Sequence, residues 1–332
     1  MAETRLTNVI VPSVFSQYTV EPSIYRSRLW KSGVISVDSQ ISGLLGGGGK
    51  LYNMPAWQDI SGTSGDIPVE ASAQTVNAVT ARDQVFRKQF RTKAWGQNAL
   101  AVSEAGSSPL DSAMELVNDY WAQAYELMAI ATLQGVIADD VANDSSSITN
   151  DISGGVGAAA VISDDAIIDT QALLGENGTV GMDGLGDFTA IVCHDAVYAK
   201  LRKLDLIDFT AVSDQPRPLA FYQGMQVITT RNAPLTAGVY DTYLLKAGAV
   251  RFGITSEGYV PTEIYRLPAQ GFGIDQFFTR RTFAIHPVGY EFLEGSVAGT
   301  SPTDAELKLA ANWDKIFNAE AQGIVCLKHK IA

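Results

Sequence analysis

The most regular hydrophobic pattern in the chain follows residue 108. At about 100° per residue, a set of apolar positions falls on one broad arc: Leu110, Met114, Val117, Trp121, Ala124, Tyr125 and Met128. Ser108 precedes Pro109, and Asp111 lies three residues after the serine, which is typical of an N-cap, a first-turn proline and an acidic variant of the capping box. We predict an amphipathic helix over residues 109–138, roughly 40 Å long at about 1.5 Å per residue.

Shorter patterns predict the other elements. KLYNMPAW and TVNAVTARDQVFRKQFRTKAW flank a Ser/Gly/Asp-rich segment, which predicts a long β-hairpin with a loose tip. Residues 163–174 and 194–204 are predicted helices, and TAIVCHD between them is a predicted buried strand. Further strands are predicted at MQVITTR, TYLLKAGAVRFGI, DQFFTRRTFAIHPVGYEF and GIVCLKHKI. The fold class is therefore α+β, with much antiparallel strand towards the end.

The first 45 residues have no sustained period, and Gly46 to Gly49 follow them in a row. This pattern predicts an extended arm that ends at a flexible joint. A phosphate-binding loop would need glycine six residues before the lysine and Ser or Thr after it, but Leu44 and Leu51 occupy those positions. The glycine run is therefore interpreted as a hinge.

Charge divides the chain into three parts. The formal net charge is −12; residues 1–100 carry ten Lys/Arg and seven Asp/Glu, residues 101–200 carry sixteen acids and the single base Lys200, and residues 201–332 carry thirteen of each. An acidic protein is a poor candidate for non-specific duplex binding, which depends on neutralising phosphates. Asymmetry of this kind favours contacts between copies of one chain.

The basic and acidic parts each contain a cluster. Five bases lie within twelve residues of the predicted hairpin: Arg82, Arg87, Lys88, Arg91 and Lys93. Four acids share the polar side of the predicted helix: Asp111, Glu115, Asp119 and Glu126. We hypothesise that the basic hairpin of one copy lies across the acidic helix of the next. A solvated hairpin, or a nucleic-acid surface using Phe86 and Phe90, are the alternatives.

Catalytic and metal patterns are weak. Cys326 and His329 are three apart on a predicted strand and point to opposite faces, so they do not form a metal pair. His194 and His286 accompany no G-x-S-x-G motif. The acidic pairs Asp139/Asp140 and Asp164/Asp165 lie near predicted helix ends or starts, and Asp at a helix start is ordinary capping and dipole chemistry. Cys193 and Cys326 are expected to be reduced and buried. We predict no catalytic residue, metal or cofactor.

Four segments, in order, resemble the major capsid proteins of tailed bacteriophages, the Hong Kong 97-type shell fold. SPLDSAMELVNDYWAQAYELMAIATLQGVIA, with Leu133, Gly135 and Val136, resembles that family's spine helix. ISDDAIIDTQALLGENG with FTAIVCHDAVYAKLRKLDLIDF resembles its axial domain, and TRRTFAIHPVGYEF its late peripheral strand. SPTDAELKLAANWDKIFNAEAQGIVCLKHKI resembles its C-terminal stretch, in which Asn312 and Trp313 precede the last strand.

The resemblance implies a division of the chain and a function. The implied parts are an N-terminal arm (1–45), an extended hairpin loop (46–98), a peripheral domain with the spine helix (99–162), an axial domain (163–255), and peripheral strands with the C-terminal segment (256–332). The implied protein is the structural subunit of an icosahedral or prolate phage head. It would assemble in the host cytoplasm into hexamers and pentamers and enclose double-stranded DNA without sequence-specific contact.

Other partners follow from the same resemblance. A portal and a separate protease or decoration protein are implied partners. Scaffolding, if needed, would also be a separate protein, because nothing in the sequence corresponds to the coiled-coil scaffolding segment of some relatives. Some relatives join subunits through a lysine and asparagine isopeptide bond; Lys50 lies on the loop, but no specific motif marks such a bond. No membrane partner is expected, because no apolar run approaches the roughly 20 residues that cross a bilayer. The alternatives are an encapsulin-like nanocompartment shell protein and, in a different class, a cytoplasmic hydrolase.

Overall fold

The structure is a computed structural model, which describes residues 29–58, 60, 67, 76–179, 187–210 and 219–332. Its α-helices are α1 Ser39–Leu45, α2 Ala99–Ala105, α3 Pro109–Asn143, α4 Asp164–Gln171, α5 Glu176–Thr179, α6 Asp195–Lys203 and α7 Asp304–Leu307. Its strands begin with β1 Ile35–Val37, β2 Leu51–Trp57, β3 Ala81–Arg87, β4 Gln89–Asn98, β5 Thr149–Asp151 and β6 Phe188–Cys193. They continue with β7 Asp208–Thr210, β8 Leu219–Tyr222, β9 Met225–Thr229, β10 Leu235–Thr236, β11 Val239–Lys246 and β12 Val250–Thr255. The last are β13 Thr262–Leu267, β14 Ile274–Pro287, β15 Tyr290–Phe292, β16 Trp313–Lys315 and β17 Ile324–His329.

A five-stranded sheet and helix α3 form one half of the fold. β14 is fourteen residues long, so it pairs with both β12 and β13 along one edge and with β4 along the other. β1 extends the sheet by pairing in parallel with β12. Helix α3 crosses one face, where Tyr125 meets Phe252 and Phe283 with ring centroids 5.2 and 4.9 Å apart. Aromatic packing of this kind buries much apolar area at one point.

An eight-stranded sheet forms the other half, in the order β5-β17-β11-β6-β9-β8-β7 with β10 beside β11. β6 and β9 are parallel, with α6, β7 and β8 between them along the chain. β11 pairs antiparallel with both β6 and β17. Ile191, Val192, Leu244, Leu245 and Val325 are fully buried here. Continuous burial explains why these strands are nearly unbroken apolar runs.

The long helix begins where its capping pattern predicts. Ser108 Oγ accepts from the Asp111 amide at 3.3 Å, and Pro109 occupies the first helical position. The helix ends at Asn143, five residues beyond the predicted end at residue 138. Its first half buries one stripe, whereas its second half is enclosed almost all round. The longer extent follows from that enclosure, since tertiary packing stabilises a helix more than its own propensity does.

Two segments named in the resemblance meet in space. Gly135 of α3 lies so close to the Leu307 carbonyl and the Trp313 indole that a Cβ at residue 135 would overlap both. The indole Nε1 donates to that carbonyl at 2.8 Å. The neighbouring Asn312 is buried and accepts from the Ser296 amide at 2.7 Å. Only a glycine lets helix and C-terminal segment approach this closely.

The predicted hairpin is present, but it is shorter than expected. β2 and β3 pair antiparallel from Leu51↔Arg87 to Trp57↔Ala81. Residues 89–98, which the sequence assigns to the same hairpin, form β4 and pair with β14 instead. The change of pairing partner, from β2 to β14, occurs at Lys88. The sequence does not reveal it, because β3 and β4 have similar strand patterns and such a pattern does not specify the partner strand.

Several elements of the structure lie across the boundaries of the implied division of the chain. Residues 29–45 are not an extended arm, because β1 and α1 pack on β12; residues 1–28 lie outside the described residues, as does most of the hairpin's predicted tip. β12, placed in the axial part, belongs to the five-stranded sheet. β17, placed in the peripheral part, belongs to the eight-stranded sheet, which β5 also joins. Long-range pairing sends consecutive strands to different sheets.

Candidate inter-subunit surfaces

Two of the five predicted contact bases have partners within their own chain. Arg87 is 3% exposed, forms an ion pair with Glu294 and donates to the Thr300 carbonyl at 3.0 Å. Burial lowers the pKa of its guanidinium. Arg91 donates to the Pro302 carbonyl at 2.6 Å and pairs with Asp304 at 3.3 Å. These contacts withdraw both guanidinium groups from the predicted inter-subunit surface.

The other three bases keep charges without an acidic partner among the described residues. Arg82 is exposed and donates to the Ile316 carbonyl at 3.0 Å. Lys88 donates to the Leu45 carbonyl at 2.6 Å. Lys93 is exposed, and its ammonium lies 5.8 Å from the centroid of the Tyr120 ring on its own α3. Their positive charges remain available to a second molecule.

Three of the four predicted acids lie on the surface. Asp111, Glu115 and Asp119 are exposed on the first three turns of α3 and form no ion pair within the described ranges. Acids four residues apart on a helix repel one another by a few tenths of a kcal/mol. A cationic partner would therefore stabilise this surface, here called the acidic face of α3.

Glu126 does not belong to that surface, and its assignment to an exposed stripe is wrong. Its side chain is buried, accepts from the Thr230 hydroxyl and lies 3.3 Å from the Asn232 amide nitrogen. Both donors come from the loop after β9. The eight-stranded half of the fold covers the helix there, so the polar side of the first turns becomes an interior side further along. A helical wheel assumes that one side faces water throughout and cannot detect this change.

A second group of acids lies at the C-terminal end of α3. Asp140 is buried and accepts from the hydroxyls of Ser147 and Thr149 at 2.8 and 2.7 Å and from the amide of Ile148. Asp139 is also fully buried, and burial raises its pKa to about 6. This pair, which the sequence places near the end of the helix, is therefore part of the interior.

The hairpin exposes apolar side chains in addition to the basic ones predicted from the sequence. Trp57 is 75% exposed at the end of β2, and Ile60, Val76 and Val79 are also exposed. Among them, the Trp57 indole is large enough for a contact with another molecule to bury substantial apolar area. The alternation in KLYNMPAW carries the signal, since it places Leu51 and Trp57 on one face of the strand.

The histidine and cysteine residues are structural. His194 Nδ1 caps α6 by accepting from the Ala196 amide at 3.1 Å. His286 is buried in β14, and burial lowers its pKa to about 3, while His329 meets the Thr242 hydroxyl at 2.9 Å. Cys193 and Cys326 are free and buried, as predicted. Among the described residues, no three His, Cys, Asp or Glu side chains group as metal ligands, and no helix is long and apolar enough to cross a membrane.

Solved structures of phage capsids share this fold. The capsid of Ralstonia phage GP4 aligns with a TM-score of 0.60 at 10% identity over 96% of each chain. The capsid of cyanophage Pam1 aligns with a TM-score of 0.57 at 12% identity over 96% of this chain and 97% of the other. An encapsulin complex from Synechococcus elongatus PCC 7942 aligns with a TM-score of 0.51 at 9% identity over 93% of this chain and 94% of the other. These likenesses define the Hong Kong 97-type fold.

Sequence comparison gives the family. No family model matches the chain. The major capsid protein of Bacillus phage SPP1 is 31% identical over an alignment of 342 positions, which covers all of this chain and 99% of that protein. The chain therefore belongs to the phage major capsid proteins. It is a structural, non-enzymatic subunit of a self-assembled shell, its place is the virion, and the hydrolase alternative is excluded.

Proposed function

We propose that the chain builds a phage head from hexamers and pentamers of itself, assembled in the host cytoplasm around double-stranded DNA. The full-length identity of 31% to the major capsid protein of phage SPP1 carries this proposal. The net charge of −12 is consistent with a wall to which packaged DNA adheres weakly. A portal, and separate scaffolding, protease or decoration proteins, are the further partners we propose.

The contact that we propose between copies is electrostatic and uses the charges left free in each subunit. We propose that Arg82, Lys88 and Lys93 meet the acidic face of α3 in the next copy. Each exposed pair contributes only about 0–1 kcal/mol. A shell repeats the contact at every copy, and complementary charge fixes the orientation in which two copies dock.

Neutralising the acidic face tests this contact. The variant Asp111→Asn/Glu115→Gln/Asp119→Asn should fold normally, because these side chains are exposed. It should raise the protein concentration needed for assembly at low salt and remove most of the salt dependence, since screening already weakens exposed pairs. Light scattering measures the threshold, and electron microscopy identifies the particles.

A matched control changes three acids elsewhere on the surface. Glu104, Asp169 and Glu176 are exposed and lie off this face of α3. Their neutralisation alters net charge equally and should leave the threshold near that of the parent. Equal thresholds for both triple variants would refute the specific contact without affecting the assignment to the capsid family.

The encapsulin-like alternative shares the fold and rests on the likeness at a TM-score of 0.51. The sequence identity of 9% to that protein, against 31% to the phage protein, favours the phage head. Negative-stain microscopy of the chain expressed alone should show closed megadalton particles. A second protein enclosed in particles from the natural source, with no DNA, would favour the nanocompartment instead.

A further inference from the structure

Strand β3 of the hairpin is fastened to the body of its own chain. β3 packs on β15, and the Gly289 amide donates to Gln84 Oε1 at 3.3 Å. Two residues nearer the outer end of β3, Arg82 donates to the Ile316 carbonyl at 3.0 Å. Both acceptor and donor groups lie next to the small β15–β16 sheet. The hairpin thus leaves the subunit from a defined platform.

A small apolar cluster supports the other side of the root. Phe86 is completely buried against Ile41 and Leu45 of α1 and against Ala284 of β14. Tyr52 of β2 stacks on Phe86 with ring centroids 5.3 Å apart. Further out, Trp57 of the same strand is 75% exposed. The root is therefore part of the folded body, and the outer hairpin projects from it.

Arg87 joins this root to the loop that follows β15. Its guanidinium pairs with Glu294 and donates to the Thr300 carbonyl at 3.0 Å. Glu294 has a φ of +58°, a left-handed conformation that residues other than glycine adopt rarely. Such a conformation persists where surrounding contacts impose it and is often associated with function. Here the imposed contact is the ion pair with a buried arginine.

The contacts between the hairpin and the body extend along most of β3. Counted outward from Leu51↔Arg87, Arg87 lies in the first of the seven strand pairs, Gln84 in the fourth and Arg82 in the sixth. Each of the three holds the body through the contacts given above. The angle at which the hairpin leaves the body, on which contact between copies depends, is therefore set at the innermost pair by Arg87 and further out by Gln84 and Arg82.

We propose that Arg87 and Glu294 form a latch that fixes this angle and thereby sets how neighbouring subunits meet. The two are positioning residues, in place of the inter-subunit contact that the sequence predicts for Arg87. The inference rests on the proposed function in one respect: the hairpin must touch another copy.

Two substitutions at Glu294 open the latch, and both leave the buried Arg87 guanidinium without its carboxylate, which lowers stability. Glu294→Gly removes the carboxylate and suits a φ of +58°, and Glu294→Gln keeps the size of the side chain but removes its charge. Glu263→Gln is the matched control, because it removes the same charge from the exposed Arg280–Glu263 pair at 3.0 Å, away from the hairpin. Each variant is produced as the full chain.

Hydrogen exchange of unassembled subunits gives the first measurement. We expect amides of β3 to exchange at least tenfold faster in both Glu294 variants, with the rest of the subunit and the control unchanged. Unchanged exchange in β3 would refute the latch. Faster exchange throughout the subunit would also refute it, since the pair would then stabilise the fold as a whole.

Particle size gives the second measurement. Both Glu294 variants should form particles with a broader distribution of diameters than the parent and the control, as judged by electron microscopy. A distribution identical to that of the parent would overturn the proposal. If the parent itself forms no shells, the proposed function fails, while the exchange measurement still decides whether the latch exists.

Discussion

Asp139 provides a direct test of the buried electrostatics at the end of α3. Its side chain is fully buried, and one carboxylate oxygen accepts from the Asn143 amide at 2.6 Å. The other oxygen has no hydrogen-bond partner among the described residues. Burial is the main cause that raises the pKa of Asp139, and the negative charges of Asp144, Asp314 and Asp140 add to it.

The magnitude follows from the two pKa values. The pKa rises from 3.8 to about 6, which at about 1.36 kcal/mol for each pH unit disfavours the folded state by about 3 kcal/mol above pH 6. Between these values the folded subunit binds more protons than the unfolded chain, so stability falls as the pH rises through this window. The cost is about half as large at pH 5 and disappears below pH 3.8.

Asp139→Asn should therefore stabilise the subunit at neutral pH. The amide cannot ionise, so we expect a gain of about 1–3 kcal/mol at pH 7.5 that shrinks as the pH falls to 5. Urea unfolding of unassembled subunits, followed by tryptophan fluorescence, measures the difference. Asp169→Asn, at an exposed position of α4, should change stability by less than about 0.5 kcal/mol. A variant at residue 139 that is less stable than the parent, or whose gain is the same at every pH, would refute the reasoning.

Three further predictions concern the interior. Gly135→Ala should lower the free energy of unfolding in urea by about 1–3 kcal/mol, because a Cβ there overlaps the C-terminal segment. The control Gly43→Ala has open space around it and should not destabilise the subunit. Equal effects of the two variants would contradict this packing. The neutral, buried His286 should make a contribution to stability that rises with pH between about 3 and 6.5, opposite in sign to that of Asp139, and His286→Gln should remove this contribution; a pH dependence identical to that of the parent would assign it to other groups. Thr230→Val should lower the free energy of unfolding by about 1–3 kcal/mol, because it removes a hydrogen-bond donor to the buried Glu126 carboxylate. The double variant Thr230→Val/Glu126→Gln should recover part of this stability. No recovery would show that the carboxylate is not responsible for the loss.

The sequence alone determined the elements that depend on neighbouring residues. The start of α3 is local, because Ser108 and Pro109 act on amides within one turn. The helices α4 and α6 and the strand β6 lie within a few residues of their predicted places for the same reason. The order of four such segments also sufficed to indicate the shell fold and the capsid family, which the comparisons confirm.

Only the tertiary structure decided which strands pair. The run TYLLKAGAVRFGI has one continuous strand pattern, yet it forms β11 and β12 in two different sheets. Similarly, β3 and β4 follow one another along the chain, but β3 pairs with β2 and β4 pairs with β14. A period of two residues states which side chains share a face and leaves the partner strand unspecified.

The fate of the charged residues was also decided at long range. Arg87 and Glu294 are 207 positions apart, and Glu126 and Thr230 are 104 apart. No local pattern marks either pair, so the sequence suggested exposed charges where the fold has buried ones. Asp111, Glu115 and Asp119 kept their predicted exposure because the first turns of α3 are covered on one side only. Whether a side chain is buried depends on which distant segments pack against it. The pattern of apolar and polar residues predicts burial only for an element that is covered on one side, as the first turns of α3 are.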